Sequence, residues 1–215
     1  MKAGLKNVAR IARALAYVAC LVLLAPGAHA DEGPSDKIPT GGVLRGAFAE
    51  DHYFNNSTKP LHTEGHFVVA PSRGILWMIE KPIPFNFIIT PAGVTQALGT
   101  MPLMQIPAAK MPLIANVTGL VSATLAGDWA PLEKDFTVAR KSTSAHWDAT
   151  VTPREGVKMP FQSLSFAGNK HVDSARALRA KGGFDKFTFS QQEISRTPPT
   201  AGETAAFDSG TIPRH

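Results

Sequence analysis

Residues 61–90 read LHTEGHFVVAPSRGILWMIEKPIPFNFIIT. The stretch divides into three short strands at two breaks, Pro71-Ser72-Arg73-Gly74 and Pro82-Ile83-Pro84. Val, Ile, Phe and Trp fill the strands, as suits pleated, half-buried backbone. Proline is confined to the breaks, where its missing N–H costs no ladder bond. The rest of the chain continues the pattern. Residues 43–54 (VLRGAFAEDHYF) predict a strand with Leu44, Gly46 and Phe48 on one side and Arg45, Ala47 and Ala49 on the other. Further strands are expected at 94–98, 135–140, 145–151, 161–166, 171–178 and 184–190, each bounded by turn residues. About ten short strands with hairpin-scale links predict one antiparallel sheet, curled or closed.

One segment breaks this rhythm. Met101, Pro102, Met104, Pro107, Met111 and Pro112 predict a Met- and Pro-rich connection. Leu113, Ile114, Val117, Leu120, Val121, Thr124 and Leu125 then recur at helical spacing, with Pro112 suited to the first turn and Gly127 to the C-terminal cap.

The two ends of the chain read differently from its middle. Lys2, Lys6, Arg10 and Arg13 precede an apolar run at 14–25, and Ala28-His29-Ala30 precedes Asp31. That order is the signature of a secretory signal peptide cleaved after Ala30. The run of ~12 residues is shorter than the ~20 of a membrane span. Cys20, the chain's one cysteine, lies inside it, so the mature chain is expected to contain no thiol and no disulfide. The charge of +5 also changes: with the four signal cations removed, 18 Lys and Arg face 17 Asp and Glu, leaving +1. A nucleic-acid partner is therefore not expected. Residues 31–195 are expected to form one domain. Residues 196–215, rich in Pro, Gly, Thr and Ala without apolar periodicity, are expected to be a disordered tail.

Catalytic patterns are missing. There is no G-x-S-x-G elbow and no phosphate-binding glycine loop. His62 and His66 fall ~13 Å apart along a strand, too far to clamp one metal ion. His146 and Asp148 share a strand face without a serine assignable beside them. Neither catalytic residue, metal nor cofactor is expected, and the chain is not read as an enzyme. What stands out is apolar surface: Phe67, Trp77, Phe85, Phe87, Ile89 and a series of later aromatics at Phe136, Trp147, Phe161, Phe166, Phe184, Phe187 and Phe189. Two readings stay open, a filled core or a cavity open to acyl chains. The methionines beside the helix suit the second, because thioether side chains adapt to varied shapes.

A strand ending in Phe48-x-Glu50, then Gly65, Trp77 twelve residues later, and Pro82 before a strand pair together resemble the LolA-type outer-membrane lipoprotein carrier family. The helix, a strand at 135–140, Trp147, Pro153 and residues 161–168 follow in the order of LolA-like sequences, so the resemblance covers 43–190. It implies a mainly β fold with helices: an incomplete, half-open antiparallel β-barrel whose apolar concave face is covered by a helical lid. It implies a periplasmic carrier that binds the acyl chains of lipoproteins or related lipids and ferries them from an inner-membrane loading complex to an outer-membrane acceptor, as a monomer. The alternative on the same half-barrel is a lipid-sensing or protein-interaction module. On the carrier reading Phe48, Phe67, Trp77, Phe85, Phe87 and Ile89 line the cavity and Leu113, Val117 and Leu120 belong to the lid. The family's latch arginine falls at Pro71 here, which leaves Arg73 as the candidate latch.

Overall fold

The three strands expected within 61–90 are present in the computed structural model, which describes Pro34, 36–55, 57–110, Thr124, 129–143 and 145–210. They are β2 (Leu61–Ala70), β3 (Gly74–Lys81) and β4 (Phe85–Thr90), preceded by β1 (Val43–Tyr53). Next come β5 (Gly93–Leu98) and β6 (Met101–Pro107). The chain continues with β7 (Phe136–Ser142), β8 (Trp147–Pro153), β9 (Phe161–Gly168), β10 (Val172–Arg179) and β11 (Phe184–Ser195). All join one antiparallel sheet in the order β6-β5-β4-β3-β2-β1-β11-β10-β9-β8-β7. Two meanders therefore meet where β1 pairs with β11, and β6 and β7 are left as open edges. The mainly β, half-open architecture expected from the sequence is the one observed.

Alternation along the strands separates two faces. One collects Leu44, Phe48, Phe67, Val69 and Ile75 from the first meander with Phe136, Trp147, Val151, Phe166 and Val172 from the second, in a single apolar cluster. The sheet curls around this face. Trp77 on β3 and Phe187 on β11 are three strand spacings apart, ~14 Å if the sheet were flat. Their rings nevertheless lie 6.1 Å apart, converging over β2 and β1. Trp129 and Leu132, just before β7, add to the same cluster.

The opposite, convex face carries the second cluster: Val43, Val68, Ala70, Leu76, Ile88 and Ala97 under Ala206 and Phe207. Those last two belong to helix α1 (Ala201–Ser209). This corrects the expectation of a disordered tail over 196–215 where the helix forms; residues 211–215 lie outside the described residues. The helix is fixed by a capping box, in which the Thr200 hydroxyl accepts from the Glu203 N–H and the Glu203 carboxylate accepts from the Thr200 N–H. Gly210 closes it in the left-handed region, at φ 70°. The helix also explains why Phe67, Val68, Val69 and Ala70 are buried in succession: both faces of the sheet are covered there.

Two further expectations change. Residues 101–107 are an edge strand instead of a connection, a place where Pro102 and Pro107 are tolerated. The helix expected from Leu113 to Leu125, with its lid positions Leu113, Val117 and Leu120, lies outside the described residues except for Thr124, which is helical and 1% exposed.

Candidate functional site

All six expected lining residues fall on the concave face. Register places Phe67 opposite Trp77 and Trp77 opposite Phe87, with Ile75 opposite Ile89 and Ile79 opposite Phe85. Phe48 stacks on Trp77 at 3.8 Å, although β2 runs between their strands. That approach is possible because Phe48 faces Gly65 across the β1–β2 ladder, where there is no side chain to intervene. The reciprocal pair is Phe67 opposite Gly46, whose missing Cβ would stand 2.7 Å from the Phe67 ring. Each phenylalanine thus covers a glycine of the other strand.

The face is graded. Phe48 and Phe67 are 3% and 1% exposed and act as packed floor. Trp77, Phe85, Phe87 and Ile89, toward the β4 side, are half-buried. Sequence reasoning left Phe187 and Phe189 of β11 out of the site. Both sit against Trp77, at 6.1 and 6.3 Å, and Phe189 meets Phe67 edge-on at 5.6 Å. Their signal was the two-residue spacing of F-T-F, which puts both on one side of a strand.

Charge enters this face at one end. Glu50 and His52 continue the Phe48 side of β1, and Asp185 faces His52 across the ladder. Ligand-type atoms of Glu50, His52 and Asp185 all lie within 4.8 Å of one another. A cation is already among them: Arg179 Nη1 stands 3.3 Å from Asp185 Oδ1 and 2.5 Å from His52 Nε2. Arg179 Nη1 is also 2.7 Å from His52 Nδ1, and that nitrogen lies 2.5 Å from Asp185 Oδ1. Arg179 also donates to the Tyr53 carbonyl. The arrangement is an ion-pair network that closes the apolar face. Burial first, and then the neighbouring Asp185 charge, push the Glu50 carboxyl above its ordinary range. Beside the network a cavity of about 730 Å³ opens between Phe54, Met159, Pro160 and Lys181.

Other expected groups are also placed. Arg73 donates to Asp208 of α1 at 3.3 Å, on the convex side. His62 bonds Asp51 and Glu64, at 2.6 and 3.1 Å, and His66 bonds Glu80 at 2.8 Å, so the two histidines are held apart by separate carboxylates.

Fold and face define a class of protein: an open antiparallel half-barrel around an aromatic concave surface. No family model matches the chain, and no curated protein matches its sequence. Among solved structures, it is similar to a LolA superfamily protein from Nitrosomonas europaea, with 9% identity, 82% of this chain and 93% of that one covered, and a TM-score of 0.39. It is also similar to a putative outer membrane lipoprotein-sorting protein domain from Vibrio parahaemolyticus, with 7% identity, 81% and 92% covered, and a TM-score of 0.35. A third is a DUF1329 family protein from Desulfovibrio piger, with 8% identity, 78% and 90% covered, and a TM-score of 0.34.

Proposed function

We propose that this protein is a periplasmic carrier that shelters acyl chains of lipoproteins or related lipids on its concave face. Residues 1–30 direct export and are removed after Ala30, and residues 31–215 do the carrying. One observation supports the reading above others: the aromatic face runs on from a packed floor at Phe48 and Phe67 to half-buried Trp77, Phe85, Phe87 and Ile89, within a sheet that does not close. A filled core has no need of that gradient. An acyl chain gains ~0.8 kcal/mol per CH₂ on leaving water, so a sixteen-carbon chain needs a shelter worth roughly 12 kcal/mol to cross an aqueous space. Uptake requires no covalent step. Lid residues Leu113, Val117 and Leu120 would complete the shelter, with an inner-membrane complex loading the monomer and an outer-membrane acceptor emptying it.

Titration of residues 31–215 with a fluorescent fatty acid or lipopeptide tests this. Saturable uptake near one ligand per chain is expected, with Trp77 fluorescence changing in step. Phe87→Ala should weaken uptake by about tenfold or more, the loss of ~1.4 kcal/mol or more of buried aromatic surface. Absence of saturable uptake by a folded sample would overturn the reading.

A further inference from the structure

The exposed large apolar side chains are not scattered. Strand directions put the β1–β2, β3–β4, β5–β6, β8–β9 and β10–β11 turns at one end of the sheet. Phe54, Leu61, Ile83, Leu98, Met101 and Leu178, between 38% and 58% exposed, all belong to these turns or to the strand ends that enter them. Leu103 and Met104, each 48% exposed, follow directly on β6. None of the large apolar residues described as exposed lies at the opposite end. Singly exposed apolar side chains are ordinary, but their collection at one end calls for a partner.

The turns at the same end are mostly basic, while the strand ends beside them also carry acids, among them Asp51, Glu80 and Asp185. The five turns carry exposed Lys59, Arg154, Lys158 and Lys181 against one acid, Glu155. Lys59, Lys158 and Lys181 make no ion pair with another described residue. Most of the apolar tips lie between β6 and β1, with Leu178 at the end of β10 apart from them. The basic residues lie in the β8–β9 and β10–β11 turns and, with Lys59, in the β1–β2 turn. The cavity beside Arg179 is bounded by Phe54 on one flank and Lys181 on the other.

We propose that this end docks on the surface of an anionic lipid bilayer. Ile83, Leu98 and Met101 enter the interface while Lys59, Lys158 and Lys181 meet acidic headgroups. Apolar insertion supplies the hold and the lysines supply selectivity for negative surface, each cation favouring it by ~1 kcal/mol. No helix of the described residues is long and apolar enough to span a membrane. This rests on the carrier reading and deepens it by naming the end of the sheet that meets the membrane.

Co-sedimentation of residues 31–215, the compact unit that holds the sheet, tests it. The probes are vesicles of phosphatidylglycerol with phosphatidylcholine and vesicles of phosphatidylcholine alone. Binding is expected to the anionic vesicles, with release at 1 M salt, where the screening length falls to ~3 Å. Reversal of three lysines (Lys59→Glu, Lys158→Glu, Lys181→Glu) should weaken it about a hundredfold. The pair Ile83→Ser and Met101→Ser should weaken it at least tenfold. Melting temperature and vesicle-free fatty-acid uptake serve as folding and carrier controls, and both should be unchanged in the variants. Vesicle binding that is absent, or equal in wild type and variants, overturns the docking proposal. So does a wild-type dimer that Ile83→Ser and Met101→Ser dissolve, which would assign the patch to a second copy of the chain. Failure of fatty-acid uptake with vesicle binding intact sinks the carrier reading alone.

Discussion

Phe67 and Gly46 show how tightly the floor of the concave face is specified. The ring occupies the place of the glycine's absent Cβ, 2.7 Å from its ideal position. Gly46→Ala must therefore displace a ring that is itself 1% exposed. Overpacking of this kind costs ~1–3 kcal/mol, and Phe67→Ala, which leaves a cavity, ~3–5 kcal/mol. Urea unfolding should show both as lower midpoints with unchanged slope. Glu50 behaves oppositely. Its carboxyl is raised above the ordinary 4.5 by burial and by Asp185. The folded state then binds this proton more tightly than the unfolded chain, so stability falls as pH rises from the unfolded value through the raised one. Glu50→Gln removes a buried charge and should raise the melting temperature at pH 7, an advantage that shrinks as both proteins are taken to pH 4. A lower melting temperature at pH 7 would show that the ionised carboxylate supports the Arg179 network. The apolar members of the face were readable from alternation alone. Glu50 and Arg179 were not, since their neighbours come from strands more than 100 residues apart.

Helix α1 shows what composition conceals. T-A-G-E at 200–203 is a capping box in plain sequence, yet Pro198, Pro199, Gly202 and Gly210 around it suggest disorder. The helix buries Ala206 and Phe207 and little else, too few positions to produce an apolar period. Its docking depends on Glu203, which serves the cap and also accepts from Arg45 Nε and Nη2, both at 2.7 Å. Burial pushes this carboxyl up, but the Arg45 and Thr200 hydrogen bonds outweigh it and hold the value below the ordinary 4.5. The stabilisation is thus complete above that value and is lost as pH falls through the lowered one. Protection of the 203–207 amides from hydrogen exchange, corrected for intrinsic rate, should fall first on acidification, and Glu203→Gln should lower it at neutral pH and flatten its acid dependence. Exchange in α1 that is indifferent to both would remove Glu203 from the docking. Strand β6 was concealed in a similar way, because its prolines exclude a central strand and leave an edge strand allowed.

The single antiparallel sheet was legible because short apolar strands with close turns and no helix–strand alternation admit few arrangements, whereas the half-open barrel was expected from the family resemblance. The choice between filled core and open cavity was not legible. It depends on curvature, which brings Phe187 and Phe189 over Trp77, and local sequence does not encode how far a sheet curls. The same curvature makes the two meanders interdependent. Removing residues 184–215 should leave one edge of β1 unpaired, with Phe48 and Leu44 deprived of their covering on that side, and circular dichroism should lose its cooperative melt. A cooperative transition in that truncation would show that the first meander folds alone.

The pairing of β1 with β11 also governs the order of events during folding. Val43 lies opposite Ser195, so the ladder at the middle of the sheet closes a loop of about 150 residues. Closing so long a loop costs about 4 kcal/mol of chain entropy before any of its contacts form. Each hairpin closes a far shorter one, so the hairpins can zip early and the central seam comes last. Until the C-terminal strand is available, β1 is a bare edge with its aromatic side chains uncovered, open to pairing with the wrong strand. A chain with this topology is a slow folder, exposed to aggregation in proportion to how long its last strand is delayed.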